Sequence, residues 1–117
     1  MRTARLAGIV AATTVLAACA SAADDARDQR EPDAIGTVVS VEPAEGGFGV
    51  EFAPDPGYEY FDGTTFVFAE GGALESASGE ALVAADLAVG DHLEVWVEGC
   101  AESFPVQCAD PLGRLVP

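Results

Sequence analysis

The 117-residue chain contains no lysine, and its five arginines are outnumbered by 20 aspartate and glutamate residues. The formal net charge is −15 at pH 7. Because binding to nucleic acid or anionic lipid headgroups depends on basic side chains that neutralise phosphate, this charge excludes both as partners. It leaves cations and basic proteins as partners, or simple solubility in salty surroundings, where self-repulsion is screened.

A run of residues that would span a membrane is also missing near the start of the chain. The apolar stretch from Leu6 to Ala18 has 13 residues, whereas a membrane-spanning helix needs about 20. Arg2 and Arg5 precede this stretch, and small residues end it. A basic, then apolar, then small-residue layout is typical of an export signal.

The residues Leu16, Ala17, Ala18 and Cys19 resemble the lipobox of bacterial lipoproteins. The resemblance implies cleavage before Cys19, a diacylglyceryl group on its thiol, and a location on the extracytoplasmic side of the cell membrane. Two or more acyl chains hold a protein stably at a bilayer, where one gives only marginal binding. The alternative is an ordinary cleaved export signal in which Cys19 carries no lipid.

Cysteine is scarce, with three residues in the whole chain. If Cys19 is lipidated, Cys100 and Cys108 form an even pair in an exported protein, and oxidising compartments allow such pairs to close. Their spacing is not the Cys-x-x-Cys of a thiol oxidoreductase or the paired spacing of a zinc site. We therefore predict a structural disulfide between Cys100 and Cys108.

Composition divides the chain into three parts. Residues 1–18 are the predicted signal peptide, and residues 19–33 carry the lipidated cysteine and an acidic tether with no large apolar side chain to repay the entropy of ordering. The 14 residues from Ala20 to Asp33 would reach about 45 to 50 Å when fully extended. Residues 34–117 form the predicted domain.

Apolar residues in this domain repeat mostly with a period of two, which predicts half-buried strands. Residues 70–81 are predicted to be a loop or a short strand around Leu74, and Asp110 with Pro111 breaks the last strand. A short helical turn is predicted from Val83 to Leu87. The five predicted strands are Thr37 to Val41, Phe48 to Phe52, Thr64 to Ala69, His92 to Val97 and Gln107 to Val116.

This order predicts an all-β fold, a small five-stranded OB-like barrel with one short helical turn, because a three-stranded meander, a turn and a final strand pair follow one another. A small open sandwich fits the same strand count almost as well.

Three short stretches resemble the YobA-like family of small bacterial lipoproteins. They lie at Ile35 to Val38, Asp86 to Asp91 and Glu102 to Gln107, and the likeness spans roughly Ile35 to Val116. The resemblance implies an exported OB-like domain without a known activity, so it carries over no functional residues. The flanking cysteine pair is a departure from the family pattern.

The loop between the second and third strands contains Asp55, Glu59 and Asp62, whose oxygens are hard ligands of the kind calcium prefers. Their spacing does not follow the Asp-x-Asp-x-Asp-Gly pattern of a calcium-binding loop. The favoured interpretation is therefore a solvated turn without a metal. The same loop carries Tyr58, Tyr60 and Phe61, which form a candidate ligand or partner surface or else pack over the barrel end.

Two further aromatic residues are candidates for the same surface. Trp96 points away from Leu93, Val95 and Val97 by strand alternation, so it is an exposed recognition residue, the cover of a second small core, or half-buried under the tether. Phe104 lies between the paired cysteines as a contact residue or as a plug of the barrel end.

His92 is the only histidine. A general base needs a nucleophile and an orienting carboxylate within hydrogen-bonding reach, and Ser103, Asp91 and Glu102 are the nearby residues. Adjacent strand residues point to opposite faces, so Asp91 does not orient His92. A hydrolase built on these residues is the weakest hypothesis.

We therefore expect a lipid-anchored, non-catalytic and monomeric envelope protein without a cofactor, whose partner is another envelope protein or a small ligand. The alternative function is a ligand-binding or calcium-binding module that uses the loop at residues 55–62.

Overall fold

Alternating apolar side chains place one face of each long strand in the core. The computed structural model describes residues 25–117, and the predicted cleavage site and Cys19 lie outside them. Four of the eight strands, those that begin at Ala34, Gly47, Thr65 and His92, match predicted strands within a few residues. The strands are β1 (Ala34–Ala44), β2 (Gly47–Pro54), β3 (Thr65–Ala69), β4 (Leu74–Glu75), β5 (His92–Trp96), β6 (Gly99–Ala101), β7 (Gln107–Ala109) and β8 (Leu112–Val116).

The all-β class is confirmed, with a six-stranded sheet in the order β3-β2-β1-β5-β8-β4 and a separate two-stranded sheet of β6 and β7. The meander β1-β2-β3 precedes a 3-10 turn at Ala84–Asp86, and β5 then pairs with β8, as the OB-like order predicts. The number of strands differs from the prediction because β4 and β6 are added and the last predicted strand is divided into β7 and β8. The outer strands β3 and β4 are not hydrogen-bonded to each other, so the sheet is not closed.

Phenylalanine side chains fill the interior of the curved sheet. Phe52 and Phe66 pack edge to face with ring centroids 5.2 Å apart, and Phe68 lies 6.3 Å from Phe66. A Cβ atom added at Gly113 would approach Leu74 Cδ1 to 2.8 Å and Phe68 Cε1 to 2.9 Å. Side chains from β3 and β4 therefore meet at β8 inside the sheet, although the outer strands share no hydrogen bonds.

The segment at residues 25–33 lies against the sheet, whereas composition assigned it to the tether. Arg27 is only 9% exposed, and its guanidinium donates to the carbonyl oxygens of Gly72, Ala73 and Gly113 at 3.0 to 3.1 Å. The Asp33 amide donates to the Val95 carbonyl at 2.9 Å. Polar contacts rather than apolar burial hold this segment in place. The folded domain therefore includes residues 25–33.

The same segment covers Trp96. The indole N–H donates to the Arg30 carbonyl at 2.9 Å, and the Arg114 guanidinium lies 5.5 Å from the ring centroid. Trp96 is 2% exposed, so the prediction that it belongs to a partner surface is wrong. Burial under residues 25–33 was one of the alternatives that the sequence left open.

Within residues 25–117, the structure contains no helix of the length and apolar character needed to cross a membrane.

Candidate functional site

The three carboxylates of the loop after β2 do not share a partner. Asp55 Oδ2 lies 2.7 Å from His92 Nε2, while both Glu59 oxygens accept from the Gly57 amide at 3.0 Å. That backbone hydrogen bond lowers the pKa of Glu59. Asp62 is exposed, and residues 25–117 contain no cluster of three or more His, Cys, Asp or Glu side chains suited to holding a metal ion.

His92 is held by a carboxylate that sequence spacing did not identify. Its partner Asp55 lies 37 positions earlier in the chain, whereas Asp91 accepts from the Ala88 amide at 2.8 Å. The Ser103 hydroxyl donates to the Pro105 carbonyl at 3.0 Å. These contacts engage His92 and Ser103 separately, and they do not form the hydrogen-bonded nucleophile and base that an acyl-transfer enzyme needs.

The aromatic residues of the same loop divide between core and surface. Phe61 is buried, with its ring 5.9 Å from that of Phe66, so its assignment to the partner surface is wrong. Tyr58 is half-buried. Tyr60 is 52% exposed, and its hydroxyl donates to Glu102 Oε2 at 2.6 Å, which raises the pKa of Tyr60. Of the three, Tyr60 is the residue presented to solvent.

The predicted disulfide is present and joins directly opposed residues of β6 and β7. Cys100 and Cys108 have Cα atoms 4.0 Å apart. Phe104 lies in the connection between the two strands and is 95% exposed, so it is not the plug of the barrel end. Val106 is buried instead, and its carbonyl accepts from the Thr64 hydroxyl at 3.1 Å.

A cleft of about 320 Å³ lies between the start of β3 and the β6–β7 hairpin. Gly63, Thr65 and Val67 form one wall, and residues 105–108 form the other. A second cleft of about 210 Å³ adjoins it and shares Val67, with Asp110 and Leu112 on its far side. The two clefts follow the side of the sheet where β3 has no hydrogen-bonded neighbour.

Acidic residues lie in or close in sequence to the segments that line these clefts, with Asp110 in the lining of the second. Asp62 precedes Gly63 directly, Glu102 lies two residues before Phe104, and both are exposed, as is Asp110. The three arginines of the described residues bond elsewhere: Arg27 to Asp25, Arg30 to Asp33, and Arg114 to Glu75 and Asp28. The exposed aromatic residues therefore lie beside carboxylates, while the cations are neutralised by the N-terminal segment and β4.

Sequence reasoning identified Tyr60 and Phe104 but missed the cleft. The pattern of β3 alternates buried and exposed residues, which identifies a strand but not the element that lies beside it. The Tyr60–Glu102 hydrogen bond joins residues 42 positions apart, and such a pairing follows only from the three-dimensional fold.

Comparison with protein-family models, with curated proteins and with solved structures finds no match to this chain.

Proposed function

We propose that this protein is an exported lipoprotein, anchored by acyl chains on Cys19, whose β domain acts as a non-catalytic binding module at the cell envelope. The observation that carries the proposal is the sequence from Leu16 to Cys19 after a basic and apolar start. The resemblance to YobA-like lipoproteins supports the same location.

The disulfide supports export independently of the lipobox. Disulfides persist in oxidising compartments and are rare in the cytosol, and Cys100 and Cys108 are bonded here. Because these residues lie more than 80 positions from Cys19, the two indications come from separate parts of the chain.

The contacts of the polar side chains support binding rather than catalysis. His92 is paired with Asp55, and the Ser103 hydroxyl is directed at a backbone carbonyl. In contrast, the domain presents exposed aromatic side chains beside a cleft, a combination typical of recognition surfaces.

The N-terminal segment limits how far an anchored domain extends from the bilayer. Five residues, 20–24, separate Cys19 from Asp25, and a chain of this length spans at most about 20 Å. This is less than half of the reach that composition predicts for a tether of residues 20–33. The proposed module would therefore act on partners close to the membrane surface.

Metabolic labelling with an alkyne analogue of palmitate tests the anchor. We expect the label on the wild-type protein and its recovery in the membrane fraction, and loss of both in Cys19→Ser. As a matched control, Cys19→Ser combined with Ser21→Cys restores a cysteine two positions away from the lipobox, and it should remain unlabelled. A labelled Cys19→Ser protein, or an unlabelled wild type, contradicts the proposal.

A further inference from the structure

Two exposed aromatic side chains, Phe104 and Tyr60, are associated with the β6–β7 hairpin. Phe104 projects into solvent from a hairpin closed by the Cys100–Cys108 disulfide, and Tyr60 is joined to the same hairpin through its hydrogen bond to Glu102. Exposed aromatic residues on a covalently closed hairpin lose little conformational entropy on binding. The 320 Å³ cleft begins close to both residues in the chain, because its lining includes Pro105, which follows Phe104, and Gly63, three residues after Tyr60.

Unpaired backbone groups lie along the other side of that cleft. The Phe52 amide donates to the Thr64 carbonyl, and the Glu70 amide donates to the Gly46 carbonyl, so even-numbered residues of β3 are the ones hydrogen-bonded to β2. Antiparallel pairs alternate in this respect, and the amide and carbonyl of Val67 therefore point away from β2. Val67 also lines both clefts, and its side chain is 45% exposed.

Charge decides what kind of chain fits this surface. Asp110 lines the smaller cleft, and Asp62 and Glu102 lie one and three positions before Gly63 and Pro105 of the larger one. The three described arginines are paired with carboxylates elsewhere. A second copy of this protein would bring the same net negative charge to the surface and would be repelled. A segment with lysine or arginine on either side of an apolar residue has the complementary pattern.

We propose that the surface formed by Tyr60, Val67, Phe104 and the two clefts binds a short, extended, basic segment of a partner protein, with one apolar side chain entering the larger cleft. The inference rests on the proposed binding function and specifies its partner class. The backbone of Val67 supplies a donor and an acceptor for the main chain of the segment, and the flanking carboxylates receive its basic side chains.

The test uses the full chain purified from a whole-cell extract in a nonionic detergent, so that its recovery does not depend on the anchor. The probe is a fluorescent nonapeptide, Lys-Thr-Lys-Thr-Leu-Thr-Lys-Thr-Lys, and its counterpart with every lysine replaced by glutamate. We expect the lysine peptide alone to bind, with amide chemical shifts changing mainly at residues 62–67 and 102–108. Binding of both peptides with equal affinity contradicts the proposal.

Four variants separate the site from general charge attraction. Phe104→Ala removes an exposed side chain and should weaken binding at least tenfold, whereas Val89→Ala, at another exposed apolar residue, should not. Asp62→Asn should weaken binding more than Glu80→Gln, an equal change in net charge at an exposed position outside the clefts. Equal effects of the two charge variants, or shifts spread over the whole surface, would overturn the inference.

Self-association is a further outcome that decides against the proposal. If sedimentation shows a dimer that Phe104→Ala abolishes, the surface binds a second copy rather than a basic segment. None of these measurements depends on the lipid, so their failure leaves the palmitate result for Cys19 standing, and an unlabelled Cys19 leaves these measurements standing.

Discussion

Arg27 is a buried charge whose partners are mostly backbone carbonyls. Its guanidinium donates to three carbonyl oxygens from the β3–β4 turn and β8, and it is also paired with Asp25 at 2.9 Å. A buried arginine is stable only when its donors are satisfied, because removing it from water is costly. Arg27 therefore provides the buried attachment of residues 25–33 to the sheet, beside the backbone contacts of Asp33 and Arg30.

Replacing Arg27 should destabilise the domain more than replacing Arg30. We expect Arg27→Ala to lower the free energy of unfolding by about 2 kcal/mol, because hydrogen bonds to a charged group are lost and carbonyls are left unpaired. Arg30→Ala removes an exposed ion pair with Asp33 and should cost less than about 1 kcal/mol. Urea denaturation, followed by the fluorescence of Trp96, measures both.

Trp96 also reports whether the segment has left the sheet. Its indole bonds to the Arg30 carbonyl, so Arg27→Ala should shift its emission to longer wavelength in the folded protein, whereas Arg30→Ala should shift it less. Equal costs and equal emission for the two variants would show that Arg27 has no special role.

Asp25 gives this attachment a dependence on pH. Its hydrogen bonds to Arg27 hold the pKa of Asp25 below the ordinary value of 3.8. A carboxyl group whose pKa is lower in the folded state stabilises that state above the unfolded pKa, and this contribution is lost as the pH falls through the folded pKa. Asp25→Asn should therefore lower the Tm at pH 7, and this difference from the wild type should shrink as the pH falls below 3.8.

The matched control for Asp25 is Glu31→Gln, at an exposed carboxylate of the same segment. Its Tm should follow that of the wild type across the pH range. A difference between wild type and Asp25→Asn that is the same at pH 7 and pH 3 would contradict this assignment.

At the scale of elements, the β6–β7 hairpin depends on its disulfide. A two-stranded sheet is marginally stable by itself, and this one is anchored to the domain by the burial of Val106 and the Thr64 hydrogen bond. The cysteines are eight positions apart, and closing such a loop contributes about 2.5 kcal/mol by chain entropy.

Replacing both cysteines with serine should destabilise the hairpin first. We expect faster amide hydrogen exchange at Gly99–Ala101 and Gln107–Ala109, with little change at Leu93 and Val95 in the core. Unchanged exchange in the hairpin would show that packing alone maintains it.

The elements that the sequence predicted are those with a strong alternation of apolar residues. Phe48, Val50 and Phe52 identify β2, and Leu93 and Val95 identify β5, because buried faces leave a period of two. β4 and β6 have only two or three residues, and their pairing comes from tertiary contacts that no local pattern records. The same reason explains why Asp55 was not recognised as the partner of His92.

Exposure of aromatic residues was harder to predict than the strands. Phe61 was a candidate for the surface because it lies in an aromatic loop at the predicted barrel end, and Trp96 because strand alternation directs it away from Leu93 and Val95. Phe61 is buried because its 3-10 turn, Glu59–Phe61, directs the ring toward Phe66 in the core, and Trp96 is buried because residues 25–33 lie over it. A contact with a residue of another strand, or a cover from a segment distant in sequence, is not visible in a local pattern.

For the whole molecule, repulsion among the excess carboxylates is the main electrostatic term that opposes folding. Residues 19–117 carry 20 acidic side chains and three arginines, and the arginines are already paired. The remaining carboxylates repel one another across the surface, which disfavours the compact state.

Sodium chloride should therefore stabilise the protein at pH 7. We expect the Tm to rise by several degrees up to about 1 M salt, where the screening length falls to about 3 Å, and then to level off. Calorimetry at increasing salt measures this dependence. A Tm that falls steadily over the same range would indicate that attractive ion pairs outweigh the repulsion.

The proposed anchoring at the cell envelope depends most on the chemical state of Cys19. Mass spectrometry of the amino-terminal fragment, isolated from the membrane fraction after proteolysis, tests it directly. We predict a fragment that begins at Cys19 and carries the added mass of a diacylglyceryl group, with or without a third acyl chain. A fragment that begins at another residue, or an unmodified Cys19, would contradict the account.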